Sequence, residues 1–148
     1  MKHTIICDID GTVSDPSHRL HHIRGPRRKD WPAFFAACRD DANHDDIHEI
    51  LQGLLGPDRH VVYVTGRPEA QRTATLGWLA RHRYPQGSLH MRADRDFRSD
   101  DVVKEEILDR DLKLLPQDVL CVLDDRDRVV EMWRRRGFRV LQVANGEF

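Results

Sequence analysis

A chain of 148 residues has the length of one ordinary domain, enough to bury a core and too short for two full ones. With 39% hydrophobic residues, 33% charged residues and a net charge of −1, its composition excludes a disordered chain and a uniformly basic nucleic-acid binder. Its apolar runs are only a few residues long, so none can span a bilayer, and the N-terminus lacks the features of a secretory signal. A cytoplasmic protein with no membrane partner is therefore expected.

In chain order, residues 3–9 read as a first buried strand. Residues 12–59 interrupt the pattern with a polar loop, a basic cluster (Arg24, Arg27, Arg28, Lys29) and a helical patch around Trp31, Phe34 and Phe35. A helix follows over about 45–55. A small cap or flap is expected within about 12–45, followed by the first crossover helix. Residues 60–65 form a second strand. A helix is predicted from Pro68 to about residue 83, with Leu76, Leu79 and Ala80 on its inward face. Residues 88–91 are a short third strand. Ser99 or Asp100 can cap a helix to about residue 110 that buries Val103 and Ile107. Residues 119–123 are a fourth strand. A helix over about 126–136 turns Val129, Val130 and Trp133 inward and stops at Gly137, before a fifth strand at 138–143. Short, nearly continuous apolar strands alternating with helices predict an α/β fold, a Rossmann-like five-stranded parallel sheet in one domain over 1–148.

In such a sheet, sites gather at the carboxyl ends of strands. The first strand is followed by Asp8, Asp10, Gly11 and Thr12, the second by Thr65, Gly66 and Arg67, and the fourth by Asp124 and Asp125; Lys104 lies early in the helix after the third. These residue types suit phosphoryl transfer, where catalysis is mostly positioning and charge stabilisation. A carboxylate can attack phosphorus, and a second one two residues on can move the leaving group's proton. Further carboxylates can hold Mg²⁺, while a lysine and a hydroxyl hold phosphate oxygens.

Asp8-Ile9-Asp10-Gly11-Thr12 resembles the DxDGT motif of the haloacid-dehalogenase superfamily, with Thr65, Lys104 and Asp124-Asp125 standing for its remaining motifs in order. Residues 99–107 and 124–148, together with Arg19 and Arg67, resemble more narrowly the 3′-phosphatase domain of phage-type polynucleotide kinase-phosphatases. The resemblance implies a haloacid-dehalogenase-type sheet and Mg²⁺-dependent hydrolysis of 3′-terminal phosphates of DNA or RNA through an aspartyl phosphate. It implies Asp8 as nucleophile, Asp10 as acid/base, and Thr65 and Lys104 as phosphate holders. Arg19, Gly66, Arg67 and Asp100 would serve the substrate. Asp8, the Asp10 backbone carbonyl, Asp124 and Asp125 would serve the metal. No GxxxxGK[ST] occurs, so kinase activity is not expected from this stretch, which reads as either a stand-alone enzyme or an excised domain; a kinase domain on another chain is a partner the resemblance allows. Two rival readings stay open: a phosphatase for free nucleotides or other small metabolites, and an inactive nucleic-acid-binding or assembly module.

The other features read more plainly. Cys7, Cys38 and Cys121 are odd in number and show no CxxC spacing, so structural thiols are expected. His18, His21 and His22, and the His44/His48 pair, lack Cys partners or an HExxH pattern and are expected on a solvated surface. Twenty of the 24 basic residues are Arg, whose planar fork suits phosphate. The cluster at 24–29 reads as a charged loop, also placed where a strand backbone could meet it. Arg134–Arg136 read as structural cations at a helix C-terminus. Trp31, Phe34 and Phe35 are expected to pack the cap helix rather than stack on bases.

Overall fold

The structure is a computed structural model that describes residues 1–146; Glu147 and Phe148, which end the stretch quoted for the narrower resemblance, lie outside the described residues. Five strands form one sheet in the order β5-β4-β1-β6-β7: β1 (Thr4–Cys7), β4 (His60–Pro68), β5 (Gly87–Arg92), β6 (Val119–Asp124) and β7 (Val140–Gln142). Every neighbouring pair is parallel. The chain works outward from β1 to β4 and β5, then crosses to β6 on the other side, so the strand order reverses at β1, where an α/β sheet opens a crevice.

Period-two alternation explains the burial on both faces. Ile5, Cys7, Val61, Tyr63, Cys121 and Leu123 point to one face. There they pack with Ile47, Leu51 and Leu55 of α2 (Asp45–Leu55) and Trp78 and Leu79 of α3 (Arg72–Arg81). Ile6, Val62, Val64 and Val122 point to the other. Val103 and Ile107 of α4 (Asp100–Ile107) and Val129, Val130 and Trp133 of α5 (Asp127–Arg135) cover them. All three cysteines are buried free thiols. No helix among the described residues is long and apolar enough to cross a membrane.

Between β1 and α2 the chain makes an insertion. A two-stranded ribbon, β2 (Ser14–Asp15) with β3 (Ala42–Asn43), joins its two ends in antiparallel register. Residues 16–41 between them carry a 3₁₀ turn, Ser17–His22, and α1 (Trp31–Ala36). Asp30 caps α1 by accepting a hydrogen bond from the Ala33 amide at 3.0 Å, and Pro32 sits in the first turn.

Two sequence expectations need correction. The second strand runs on to Pro68, which is extended (φ −70°, ψ 154°), so the helix starts at Arg72 rather than Pro68. Its inward face is Thr75, Trp78 and Leu79; Leu76 and Ala80 are exposed. The bulk of Trp78 and the donation of its indole N–H to the Asp41 carbonyl at 2.8 Å fix that rotation.

Candidate active site

β1 hands over to a tight turn. The Asp8 amide still donates to Leu123 O at 2.9 Å, and the amides of Thr12, Val13 and Ser14 then fold back onto Ile9 O at 3.0–3.1 Å. Gly11 has φ +83°, and a Cβ there would lie 2.2 Å from Asp125 Oδ2, so the position needs glycine on both counts. The turn returns the Thr12 hydroxyl to donate to Asp8 Oδ2 at 2.9 Å. From α4, Lys104 Nζ reaches Asp8 Oδ1 at 2.7 Å and Asp124 Oδ2 at 2.9 Å.

Oxygens of Asp8, Asp124 and Asp125 lie within 4.8 Å of one another, all buried, and Asp125 Oδ2 has no hydrogen-bond partner. Burial and the neighbouring Asp124 raise the Asp8 carboxyl well above its ordinary range despite Lys104. The same two causes push Asp125 up to about 6. Lys104 is held protonated by Asp124 and Asp8 against its burial. Three buried carboxylates facing one ammonium leave excess negative charge, and one buried oxygen, Asp125 Oδ2, has no hydrogen-bond partner. A hard divalent cation with oxygen ligands fits that donor set.

Asp10 lies apart from this cluster. Its Oδ1 accepts from Arg19 Nη2 at 2.6 Å, Arg67 Nε at 2.9 Å, Arg67 Nη2 at 2.5 Å and Ser14 Oγ at 3.2 Å. Burial would raise its carboxyl, but Arg67 and Arg19 override that and hold it well below the usual range. Both guanidinium groups also bond to Asp41. Arg19 Nε and Nη2 each donate at 2.7 Å, Arg67 Nη2 donates at 3.0 Å, and His18 Nε2 lies 2.8 Å away. Arg67 Nη1 donates to Thr75 Oγ1 at 3.1 Å.

The sequence reading set Arg19 and Arg67 on the substrate. In the structure both are fully buried and pair with Asp10 and Asp41, as a buried guanidinium must be paired. Asp8, Asp10, Gly66, Asp100, Lys104, Asp124 and Asp125 line a cleft of about 1060 Å³. Thr65 is buried, and its hydroxyl accepts from the Arg67 amide at 3.2 Å. Asp100 stands over Gly66, where a Cβ would lie 2.6 Å from its Oδ1, and it pairs with Arg92 and Arg126. It thus organises two arginines at the cleft.

Sequence reasoning missed site roles for Thr12, Asp41, Arg92 and Arg126. Thr12 was inside the motif. Arg92 ends β5 and Arg126 follows Asp125, so the strand-end rule could have flagged both. Asp41 has no sequence signal, since it meets Arg19 and Arg67 only through the fold.

The reversal-point cleft, with Asp8, Lys104 and the Asp124-Asp125 pair at its floor, defines a haloacid-dehalogenase-like phosphatase. The model of the polynucleotide kinase PNKP phosphatase domain matches residues 2–148, and the chain belongs to that family. It is 26% identical over 131 residues to a protein of Autographa californica nuclear polyhedrosis virus named a bifunctional polynucleotide kinase/RNA ligase, covering 88% of this chain and 17% of the viral one. A solved chain of a Pnkp1/Rnl/Hen1 complex is similar at TM-score 0.81 and 29% identity, covering 100% of this chain and 48% of that one. A chain from the Pnkp1/Rnl/Hen1 RNA repair complex gives 0.80 and 28%, covering 100% and 44%. The haloacid dehalogenase-like hydrolase SP0104 of Streptococcus pneumoniae shares the fold at TM-score 0.54 and 15% identity, covering 94% of this chain and 83% of that one. The chain thus spans less than half the length of the viral relative and of the two repair-complex chains.

Proposed function

We propose that this domain hydrolyses the 3′-terminal phosphate of a DNA or RNA strand through an aspartyl phosphate on Asp8. The observation that carries the reading is Asp8 itself, its two oxygens oriented by Lys104 and Thr12 on the floor of an open cleft. An Asp8 oxygen attacks phosphorus and the bond from phosphorus to the sugar 3′ oxygen breaks; Asp10, which Arg67 and Arg19 hold ionised in the free domain, relays to that oxygen the proton brought in by the phosphate monoanion. Water then attacks the acyl phosphate, Asp10 takes a proton back, and inorganic phosphate leaves Asp8 free. Lys104 and the Thr65 hydroxyl neutralise and orient the phosphate oxygens. Arg19 and Arg67 act through Asp10, fixing its Oδ1 so that Oδ2 is the oxygen that handles the proton. Asp8, Asp124, Asp125 and the Asp10 carbonyl would hold Mg²⁺, which supplies positive charge against the phosphate. Residues 16–41 serve as a flap over the cleft. The similarity to chains of Pnkp1/Rnl/Hen1 complexes supports a place in a multi-chain nucleic-acid repair assembly.

The test is a comparison of kcat/KM on 3′-phosphorylated oligonucleotides, free 3′-mononucleotides and sugar phosphates, all with Mg²⁺. Oligonucleotides should be preferred. Equal or better turnover of the small phosphates would replace this reading with a metabolite phosphatase.

A further inference from the structure

One side chain stands out as uncovered. Phe97 is 90% exposed, yet the loop that carries it is braced on every side. Arg92 Nη1 donates to Asp96 O at 3.0 Å and Arg98 O at 2.5 Å. The Arg98 side chain grips Asp96 at 2.7 Å and Glu106 of α4 at 2.6 Å. Arg92 also ties the loop to the catalytic floor through Gly66 O at 2.9 Å. A large apolar ring held in water by a rigid frame gains nothing for the fold. A singly exposed ring is ordinary on a surface, but this one lines the cleft on a braced loop, the preorganisation that a binding contact needs.

The flap presents a second ring to the same cleft. Trp31 is 39% exposed and lies 5.7 Å from Lys29 Nζ. Phe35 stacks behind it at 5.8 Å and Phe34 meets it edge-on at 5.7 Å. Phe34 in turn lies 4.3 Å from the Arg19 guanidinium that holds Asp10. Trp31, Phe34 and Phe35 pack on one another as expected, and Trp31 also remains partly exposed. Arg95, beside Phe97, is exposed and makes no ion pair among the described residues. Lys29, Trp31, Arg95 and Phe97 line the same cleft as Asp8 and Lys104. Aromatic faces interleaved with cations, leading to a phosphoryl-transfer floor, match a single strand: rings stack on bases and cations follow the backbone.

Resting on the 3′-phosphatase reading, we propose that Phe97 and Trp31 form a strand-gripping site on which the unpaired nucleotides preceding the 3′-phosphate stack, with Arg95 and Lys29 meeting the backbone. The site selects an unpaired 3′ end over a free nucleotide or a blunt duplex, because paired bases cannot offer their faces.

The test measures steady-state kinetics on 3′-phosphorylated strands of one to six nucleotides and on a small aryl phosphate, for wild type, Phe97→Ala, Phe97→Tyr and Trp31→Ala. Wild-type kcat/KM should rise over the first few nucleotides. Phe97→Ala should lose about tenfold on the longer strands, mainly through KM, and so lower the strand-to-ester ratio about tenfold. Phe97→Tyr should retain most of the activity, since stacking needs a ring rather than bulk. Trp31 is the exposed one of three tryptophans, so its fluorescence should be quenched when the Asp8→Asn protein is titrated with a 3′-phosphorylated strand. If wild type hydrolyses the strands and Phe97→Ala stays within about threefold, or Phe97→Tyr is as impaired as Phe97→Ala, the gripping site is wrong and the activity stands. If wild type leaves every strand intact, the 3′-phosphatase reading falls and this site with it.

Discussion

Arg67 places two donors on a single oxygen of Asp10: Nε at 2.9 Å and Nη2 at 2.5 Å both meet Oδ1. With Arg19 Nη2 on the same atom, three arginine nitrogens meet Oδ1, and in the proposed mechanism Oδ2 handles the proton. In the proposed mechanism this arginine, expected to grip substrate, instead positions Asp10.

Arg67→Lys should therefore lose about 10–100-fold in rate on a 3′-phosphorylated strand, the scale of losing one preorganised donor. An ammonium cannot copy a planar fork. The loss should shrink on p-nitrophenyl phosphate, whose leaving group needs little protonation. Equal losses on both esters would return Arg67 to the phosphate itself. Losses under about threefold, roughly 0.6 kcal/mol, would remove it from the mechanism.

Asp8→Asn should abolish turnover on every substrate while the protein melts as a folded domain, because an amide is no nucleophile. The loss should reach several orders of magnitude. Activity within tenfold of wild type, about 1.4 kcal/mol of barrier, would exclude Asp8 as the attacking group.

Mg²⁺ should raise the melting temperature, since Asp8, Asp124 and Asp125 crowd together and Asp125 Oδ2 is unpartnered. At a hundred times Kd the gain is about 2.7 kcal/mol, or several degrees for a domain of this size. Asp125→Asn should reduce that rise. A melting curve indifferent to Mg²⁺, or activity that survives dialysis against excess EDTA, would contradict the metal assignment.

The legible and illegible parts of the sequence divide on physical grounds. The sheet was legible because strands buried on both faces write apolar runs, as in Val61-Val62-Tyr63-Val64. The floor of the site was legible because Asp8, Lys104 and Asp124 follow strands in a fixed order. The inward face of α3 was misread because Trp78 and Thr75 outweigh Leu76 there, a choice set by partners on the flap and β4. The β2-β3 ribbon was invisible since two-residue strands carry no period. The destination of Arg19 and Arg67 was hidden because their shared partner Asp41 sits in no motif.

Asp41 supplies the last prediction. It is 3% exposed and takes both nitrogens of the Arg19 fork, Arg67 Nη2 and His18 Nε2. Asp10 and Asp41 together match the two buried guanidinium groups charge for charge. Asp41→Asn keeps the shape but removes one anion and turns an N–H₂ toward donors that need acceptors. Breaking a buried pair this way costs about 3–5 kcal/mol, so the melting temperature should fall by roughly 6–20 °C for a domain of this size. Below that transition the folded variant should still turn over more slowly, because Arg19 and Arg67 would lose the anchor that aims them at Asp10 Oδ1. The deficit should be larger on a 3′-phosphorylated strand than on p-nitrophenyl phosphate, as for Arg67→Lys. A variant that melts lower but matches wild type on both esters would make Asp41 a structural clip alone. A variant that melts with wild type would show that the buried four-charge cluster is not what holds the flap to the sheet.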